Sequence, residues 1–346
     1  MEIPAGLAQA VNNAVARRLE AELGNRGLLL GADELAAAEA ETAELGARLL
    51  AGVMHRCYPT TPQGGGTLAF EFDSDRQAAR LEAALAYGAV TARVLGPGPA
   101  ELLCAIFNLG IGLVDSLCDE DAETGVALLE LVQEQDLVRS AGETRGRGWL
   151  RAVLPPALAD DYTAAFTVEI IEVFFETLHD TYPNGAWLEH RRAVGAQLES
   201  ALEAERASFA GSVDQTPREQ LLECSRLTSV LPFRIIEALA SGDHAPTQPT
   251  AGTLLGEAMW QIDDLVDLCQ DARSGALNGV LLAADEPDRV ATLERLLASA
   301  DLSRAAAQAA ESLRAGFELA SPDRPGARDF LYFIQRYAGI GPRQTS

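Results

Sequence analysis

The chain has 346 residues and a formal net charge of −24, with 51 acidic and 27 basic residues. Nucleic-acid backbone and anionic membrane both need a basic footprint, so we expect neither nucleic-acid binding nor stable membrane insertion. Hydrophobic residues make up 48% of the chain and aromatic residues only 6%, with frequent Ala and Leu and few β-branched runs, which predicts an all-α protein.

Residue types exclude several kinds of active site. No position is lysine, so Schiff-base chemistry and a P-loop are ruled out, and an anionic substrate must be held by metal or arginine. The four histidines lack metal-ligand spacing, and the five scattered cysteines are expected to be buried thiols in a reducing compartment. The first residues lack a signal-peptide pattern, and the longest apolar run, 102–114, is shorter than the ~20 residues of a membrane span. We therefore expect a cytoplasmic protein.

Apolar periodicity, caps and breakers predict a succession of helices. Two N-terminal helices form a predicted hairpin within residues 1–58, a candidate homodimer element, and a loop at 59–66 separates it from the main region, 68–346. The predicted helices are 5–23, 33–54, 73–95, 100–121, 126–138, 157–180, 187–209, 217–240, a helix capped by Thr253 and closed by Gly275, 288–300, 302–319 and 328–337. No strand-like alternation occurs, so we expect one α-helical domain of about ten to twelve helices.

An acidic cluster follows the apolar run of the helix at 100–121. Asp115 and Asp119 share one face at i,i+4 spacing, so they stand together at the end of a buried helix. An ordinary charged helix end is the alternative interpretation. Gly110 and Gly112 lie just before the pair and weaken a helix, so we expect another helix or a ligand to approach them closely.

A second acidic cluster lies within residues 261–271. Asp263, Asp267 and Asp271 fall along one helix face, with Asp264 beside Asp267 at i,i+3. The surrounding residues are mostly apolar, so repulsion among these carboxylates is costly unless a cation neutralises it. Oxygen ligands without His or Cys indicate Mg²⁺, which binds through a few carboxylates, waters and substrate phosphates. The alternative is the polar face of an amphipathic helix.

Two carboxylate clusters on different helices can face each other across the cavity of a helical bundle. Mg²⁺ ions between them could bind a diphosphate. Loss of an allylic diphosphate leaves a carbocation, which apolar and aromatic walls must shield from water. The aromatic residues expected to line such a substrate pocket are Phe107, Phe166, Phe174 and Trp260.

The second cluster, which reads QIDDLVDLCQD, resembles the second aspartate-rich motif of trans-prenyl diphosphate synthases. The segment from Asp115 to Asp119 resembles their first motif, with Ser116 in place of its second aspartate, and is equally similar to the DxxxD of squalene and phytoene synthases. The resemblance implies the class I isoprenoid synthase fold over residues 68–346, a single large helical bundle with a central active-site cavity. It also implies a prenyl diphosphate bound through three Mg²⁺ ions, with metal ligands Asp115, Asp119, Asp263, Asp264, Asp267 and Asp271.

Other positions bear on the alternatives within this superfamily. No Gly-Lys-Arg motif for isopentenyl diphosphate precedes Asp115. Arg226 stands where the family has a Lys-Thr pair, and Arg336-Tyr337 resembles the diphosphate-sensing pair of class I terpene cyclases. The predicted catalytic residues are Asp115, Asp119, Asp263, Asp267, Arg226, Arg336 and Tyr337.

The first hypothesis is a class I terpene synthase that ionises a linear prenyl diphosphate and cyclises the resulting cation. One alternative is a trans-prenyltransferase, either for chain elongation or for condensation of the squalene or phytoene kind. The other is a catalytically silent helical subunit, which the serine at position 116 supports.

Overall fold

The computed structural model of the protein describes residues 2–58, 75–96, 98–143, 146–183, 185–210, 217–243, 249–284, 288–320 and 326–342. At Asp75, Asp119, Phe209 and Ala210 the description covers the backbone only. The predicted loop at 59–66 and the first residues of the predicted helix 73–95 lie outside these ranges.

Sixteen α-helices and no strand occur in the described ranges, so the all-α prediction is confirmed. The helices are α1 (Ala5–Asn25), α2 (Ala32–Cys57), α3 (Asp75–Leu95), α4 (Glu101–Glu120), α5 (Ala122–Gln133), α6 (Leu137–Gly142), α7 (Pro156–Asp160), α8 (Tyr162–Thr181), α9 (Leu188–Ala210), α10 (Arg218–Ser241), α11 (Ala251–Val266), α12 (Leu268–Ser274), α13 (Gly279–Ala284), α14 (Arg289–Ala298), α15 (Asp301–Leu319) and α16 (Ala327–Tyr337).

The prediction of about ten to twelve helices is too low for the described residues, because two predicted helices are each divided in two and the short helices α6 and α13 were not predicted. The predicted helix 157–180 is α7 and α8, since the Asp161 carboxylate accepts a hydrogen bond from the Ala164 N–H at 2.7 Å and begins a new helix. The short helix α6 was not predicted. It begins at the Asp136 cap, whose carboxylate accepts from the Arg139 N–H at 2.8 Å.

The chain forms two compact units. Unit 1 contains residues 1–37, 204–234 and 246–346, and unit 2 contains residues 38–203 and 235–245. The division into an N-terminal hairpin, 1–58, and a domain, 68–346, stays a prediction.

In unit 1, α15 packs along α11 and also contacts α1. A Cβ atom added at Gly316 of α15 would lie 2.7 Å from Cδ2 of Leu255 on α11, so this approach requires glycine. Leu255, Ile262 and Phe317 are buried in the same core. The helix that carries the second aspartate cluster is therefore fixed by packing.

In unit 2, α4 packs against α3, α5 and α8. A Cβ atom added at Gly88 of α3 would lie 2.6 Å from Cβ of Asn108, and the Asn108 side-chain amide donates to the Ala84 carbonyl at 2.8 Å. By length and composition, Glu101–Cys118 is the one described stretch that could cross a membrane, with a mean hydropathy of 1.6. Half of it is buried inside the protein.

Among the described residues no helix makes the predicted close approach to Gly112, and the predicted alternative, a ligand, stays a prediction. An added Cβ atom there would meet no described atom within 4 Å, and at Gly110 it would make an ordinary contact with Ile170 at 3.6 Å. The tight contact is instead made from α5, where a Cβ atom on Gly125 would lie 2.6 Å from Cα of Cys118.

Candidate metal centre

The second aspartate cluster lies on α11 and α12. The Thr250 hydroxyl caps α11 by accepting from the Thr253 N–H at 3.0 Å, so the cap is Thr250 and not the predicted Thr253. The predicted single helix is interrupted at Asp267, which has φ −91° and ψ 5°. Gly275 ends α12 in the left-handed conformation, with φ 83°, as predicted.

Asp263 and Asp267 converge on the hydroxyl of Tyr337, at the end of α16. The Tyr337 hydroxyl contacts Oδ1 of Asp263 and lies 2.8 Å from Oδ2 of Asp267. One helical turn joins the two acids, since the Asp267 N–H donates to the Asp263 carbonyl at 2.8 Å. Three of the predicted catalytic residues are thus brought together in unit 1.

This contact places three oxygen atoms around one proton. A phenol donates a single hydrogen bond, and an ionised carboxylate can only accept. Burial and the carboxylate of Asp263, then that of Asp267, raise the pKa of Tyr337 above its usual range, so the phenol keeps its proton. Two carboxylates that meet at one point offer the oxygen ligands and the negative charge that a hard cation requires.

The described residues contain no group of three or more His, Cys, Asp or Glu side chains that could hold a metal ion. A cation at Asp263 and Asp267 would therefore have two carboxylate ligands and would complete its coordination with water or substrate oxygens. Mg²⁺ is commonly held in this way, through one or two carboxylates and the phosphates of a substrate.

Asp264 and Asp271 contact a different segment, Asn278 and Gly279. Asp264 is 5% exposed, and its Oδ2 accepts from the Gly279 N–H at 3.0 Å. Oδ2 of Asp271 accepts from Nδ2 of Asn278 at 2.8 Å. Burial, together with the nearby Asp263, raises the pKa of Asp264 to about 8. The structure thus separates the four predicted ligands of this cluster into two pairs.

Trp260 lies beside a polar cavity in unit 1. The cavity has a volume of about 440 Å³ and is also lined by Gln261, Asp264 and Arg295. The indole Nε1 of Trp260 donates to Oγ of Ser225 at 2.9 Å. The role of Trp260 in a substrate pocket stays a prediction.

The two predicted catalytic arginines differ in their contacts. Arg226 donates to Glu223 through Nε and Nη2, at 2.9 and 2.8 Å, and to Glu257 through Nη1 at 3.1 Å. The hydrogen bonds with Glu223 are the main cause of a raised pKa at Arg226. The Arg336 side chain is exposed and has no hydrogen bond or ion pair with any residue that the structure describes.

The first aspartate cluster lies at the end of α4 in unit 2. Asp115 and Ser116 are exposed there, whereas the Asp119 side chain lies outside the described residues. Asp121 is a helix cap, because its carboxylate accepts from the Thr124 hydroxyl at 2.7 Å and from the Thr124 N–H at 3.3 Å, which lowers the pKa of Asp121. The spacing of Asp121 and Thr124 is a helix-start signal that was readable in the sequence.

An apolar cavity lies between α4 and α8 in unit 2, with a volume of about 60 Å³. The rings of Phe107 and Phe174 line it with centroids 5.9 Å apart, and Phe175 completes this aromatic group, 5.3 Å from Phe174. Phe166 is buried on α8 but does not line the cavity. The lining residues that sequence reasoning did not select include Ile106, Val114, Val132, Leu137, Ile170 and Leu202.

Few known proteins are similar to this chain in the comparisons made, and the similarity found is distant. No protein-family model matches the sequence, and no curated protein matches it. Among solved structures, geranylgeranyl pyrophosphate synthase from Corynebacterium glutamicum is similar to it with a TM-score of 0.41 and 14% sequence identity, over 99% of this chain and 97% of that one. The function must therefore be argued from the residues themselves.

Proposed function

We propose that this protein is a Mg²⁺-dependent class I terpene synthase, which ionises a linear prenyl diphosphate and cyclises the carbocation. The observation that carries the proposal is the pair Asp263 and Asp267, whose carboxylates lie one helical turn apart and meet at the hydroxyl of Tyr337. This pair belongs to the segment whose sequence resembles the second aspartate motif of prenyl diphosphate synthases.

The residues would have distinct roles. Asp263 and Asp267 would hold Mg²⁺ against the diphosphate, and Asp115 and Asp119 are the other predicted metal ligands. Bound Mg²⁺ would neutralise the charge that develops on the departing diphosphate. Arg336 is exposed beside Tyr337 and is available to contact a phosphate oxygen. Diphosphate is an obligatory leaving group in this chemistry, so charge neutralisation is the main demand on the site.

Arg226 would act only after an exchange of partners. Its guanidinium is held by Glu223 and Glu257, so a phosphate would have to displace at least one carboxylate. Such an exchange is feasible because Glu223 is exposed and can be solvated after it separates from the arginine.

The hydrocarbon part of the substrate needs an apolar site. The cavity lined by Phe107, Phe174 and Phe175 has this character, and the faces of aromatic rings stabilise a nearby cation. Its volume of about 60 Å³ is well below the ~300–1,000 Å³ of typical ligand pockets, so side chains must move before a prenyl chain can enter.

A trans-prenyltransferase is the second candidate, and two arginines favour it. Arg76 and Arg80 are exposed on α3 at i,i+4 spacing, and they could bind the diphosphate of isopentenyl diphosphate without metal. Elongating enzymes bind a second anionic substrate of this kind. The absence of lysine and the net charge of −24 favour the cyclase instead.

The test is incubation of the purified protein with geranyl, farnesyl and geranylgeranyl diphosphates and Mg²⁺, with and without labelled isopentenyl diphosphate. We expect diphosphate release and cyclic hydrocarbon or alcohol products, detected by mass spectrometry, and no incorporation of label. Label in a longer prenyl chain would identify the prenyltransferase. No turnover with any substrate would identify the silent subunit.

Loss of activity in matched variants links the reaction to the proposed metal pair. Asp263→Asn and Asp267→Asn should reduce turnover by about 10²-fold or more, because the removed charges hold the cation. Circular dichroism controls for loss of helix. Near wild-type turnover in either variant would refute the metal role of that residue.

A further inference from the structure

Asn278 is almost fully buried, at 1% exposure, and both of its side-chain polar atoms are engaged. Its Oδ1 accepts from the N–H groups of Val280 and Leu281 at 3.0 and 3.1 Å, which begins α13. Its Nδ2 donates to the main-chain carbonyl of Asp264 at 2.7 Å and to Oδ2 of Asp271 at 2.8 Å. One side chain thus caps one helix and contacts two residues of the aspartate cluster.

The contact with the Asp264 carbonyl lies where the aspartate helix is interrupted. In a continuous α-helix this carbonyl accepts from the N–H of residue 268, four positions along the chain. A side chain that inserts into the ladder of such bonds is a recognised cause of a break. The helix is interrupted at Asp267, which lies between residues 264 and 268, the two ends of that hydrogen bond.

Gly279 adds a second contact to the same aspartate. Its N–H donates to Oδ2 of Asp264 at 3.0 Å, and an added Cβ atom at Gly279 would lie 2.6 Å from that oxygen and 2.8 Å from Cζ2 of Trp260. The approach therefore depends on glycine. Asn278 and Gly279 together hold one oxygen atom of each of Asp264 and Asp271, while Asp263 and Asp267 meet at Tyr337.

We infer that Asn278 is a positioning residue, which interrupts the aspartate helix and holds Asp264 and Asp271 as structural supports, so that only Asp263 and Asp267 of this cluster bind the cation. This inference rests on the proposed function, because it concerns the same cation pair. The four aspartates that the sequence predicts as ligands then have different roles. Asp263 and Asp267 bind the metal, and Asp264 and Asp271 fix the positions of these two ligands.

Manganese binding tests this division without requiring turnover. Mn²⁺ prefers the same oxygen ligands as Mg²⁺, and free Mn²⁺ is measured by electron paramagnetic resonance. The titration uses the full chain at about 0.15 M salt, which screens weak binding to the acidic surface. Asp263→Asn and Asp267→Asn should each weaken Mn²⁺ binding at least tenfold. Asp264→Asn and Asp271→Asn keep an acceptor oxygen and should change the Mn²⁺ affinity less than threefold.

The positioning role is tested by Asn278→Ser. Serine can still cap α13 but cannot reach the Asp264 carbonyl and Asp271, and loss of a group that orients ligands typically costs 10–100-fold in metal affinity. We therefore expect at least a tenfold weaker Mn²⁺ affinity. The matched control is Thr250→Val, which removes the cap at the start of α11, the helix that carries Asp263; it should lower the melting temperature and leave Mn²⁺ affinity within threefold of wild type.

The outcomes separate the two proposals. Wild-type Mn²⁺ affinity in Asn278→Ser, or a tenfold loss in Asp264→Asn or Asp271→Asn, would overturn the positioning role and leave the cation pair intact. A wild-type protein that binds no Mn²⁺, with or without inorganic diphosphate, would overturn the proposed function and this inference with it. Loss of affinity in Asn278→Ser alongside an unchanged Thr250→Val supports the inference.

Discussion

The Tyr337 hydroxyl contacts the two carboxylates that are proposed to bind a cation. A cation would compete with this hydroxyl for the same oxygen atoms. We predict that Tyr337→Phe binds Mg²⁺ about tenfold or more tightly than wild type in the absence of substrate, because the wild type loses on binding a hydrogen bond to a charged group, worth about 1.5–3 kcal/mol, that the variant lacks. Isothermal titration calorimetry measures the change. Tyr332→Phe, on the same helix, is the control, and a weaker affinity in Tyr337→Phe would mean that the hydroxyl supports the cation.

His179 is held in one protonation state by its contacts in unit 2. Its Nδ1 accepts from Nη1 of Arg191 at 2.7 Å, and Nε2 donates to the Ser140 carbonyl at 3.3 Å. Burial is the main cause of its lowered pKa, and the Arg191 guanidinium contributes. Arg191 also donates to the carbonyls of Tyr182 and Gly142, at 3.1 and 3.2 Å, so the cation stays beside the ring.

The lowered pKa of His179 gives a pH dependence with a definite sign. The unfolded chain binds a proton near the ordinary value of 6.5 and the folded protein only at lower pH, so stability is lost as the pH falls below 6.5. The Ser140 carbonyl, the backbone of Glu143 and Asp180 oppose this effect but do not reverse it. We predict that wild type loses more stability than His179→Gln between about pH 7.5 and 5, measured by thermal unfolding. The exposed His55→Gln is the control, and equal slopes in wild type and His179→Gln would contradict the argument.

At the scale of helices, the glycines of α4 and α5 behave in opposite ways. Gly112 is exposed in a helix interior and has space for a methyl group, whereas Gly125 lies against the backbone of Cys118. We predict that Gly112→Ala raises the free energy of unfolding by about 1 kcal/mol, from helix propensity. Gly125→Ala should lower it by about 1–3 kcal/mol through overpacking. Urea denaturation measures both, and a destabilised Gly112→Ala would mean that something packs against α4 at this position.

Apolar periodicity predicted the long helices because it reports the face that a helix buries. The helix at 33–54, for example, is α2, with a buried face that includes Leu45, Leu49 and Val53. The short helix α6 lacks such a periodic pattern, and a distant residue contributes to its stability. In α6, the N–H of Leu137 donates to the Glu199 carboxylate at 3.1 Å, and that partner is 62 positions away in the chain.

In the candidate site too, local spacing was predictable from the sequence and contacts with distant residues were not. Spacing alone predicts that Asp263 and Asp267 share a face, because one helical turn separates them. The different environment of Asp264 and Asp271 depends on Asn278, which follows the left-handed Gly275 in a connection between two short helices. No periodic pattern fixes where such a connection places an amide, so the two aspartate pairs could not be distinguished from sequence.

At the scale of the whole molecule, charge is the dominant sequence property. The net charge is −24, and every basic side chain is an arginine, since the chain has no lysine. Arginine forms bidentate pairs with carboxylates, as Arg93 does with Glu101 at 2.9 Å for both contacts. Such pairs are too few to offset the acidic excess, so repulsion among carboxylates should destabilise the folded state at low salt.

Any salt screens this repulsion, so a comparison of two salts at equal ionic strength distinguishes specific Mg²⁺ binding from general screening. Sodium chloride should raise the melting temperature by screening, over a Debye length of about 8 Å at 0.15 M. Magnesium chloride at equal ionic strength should raise it further, because binding to the folded state alone contributes about 2.7 kcal/mol at a hundred times the dissociation constant. Asp263→Asn should lose this excess, whereas Asp271→Asn removes the same charge and should retain it. An equal effect of the two salts on wild type would show that Mg²⁺ only screens the acidic surface.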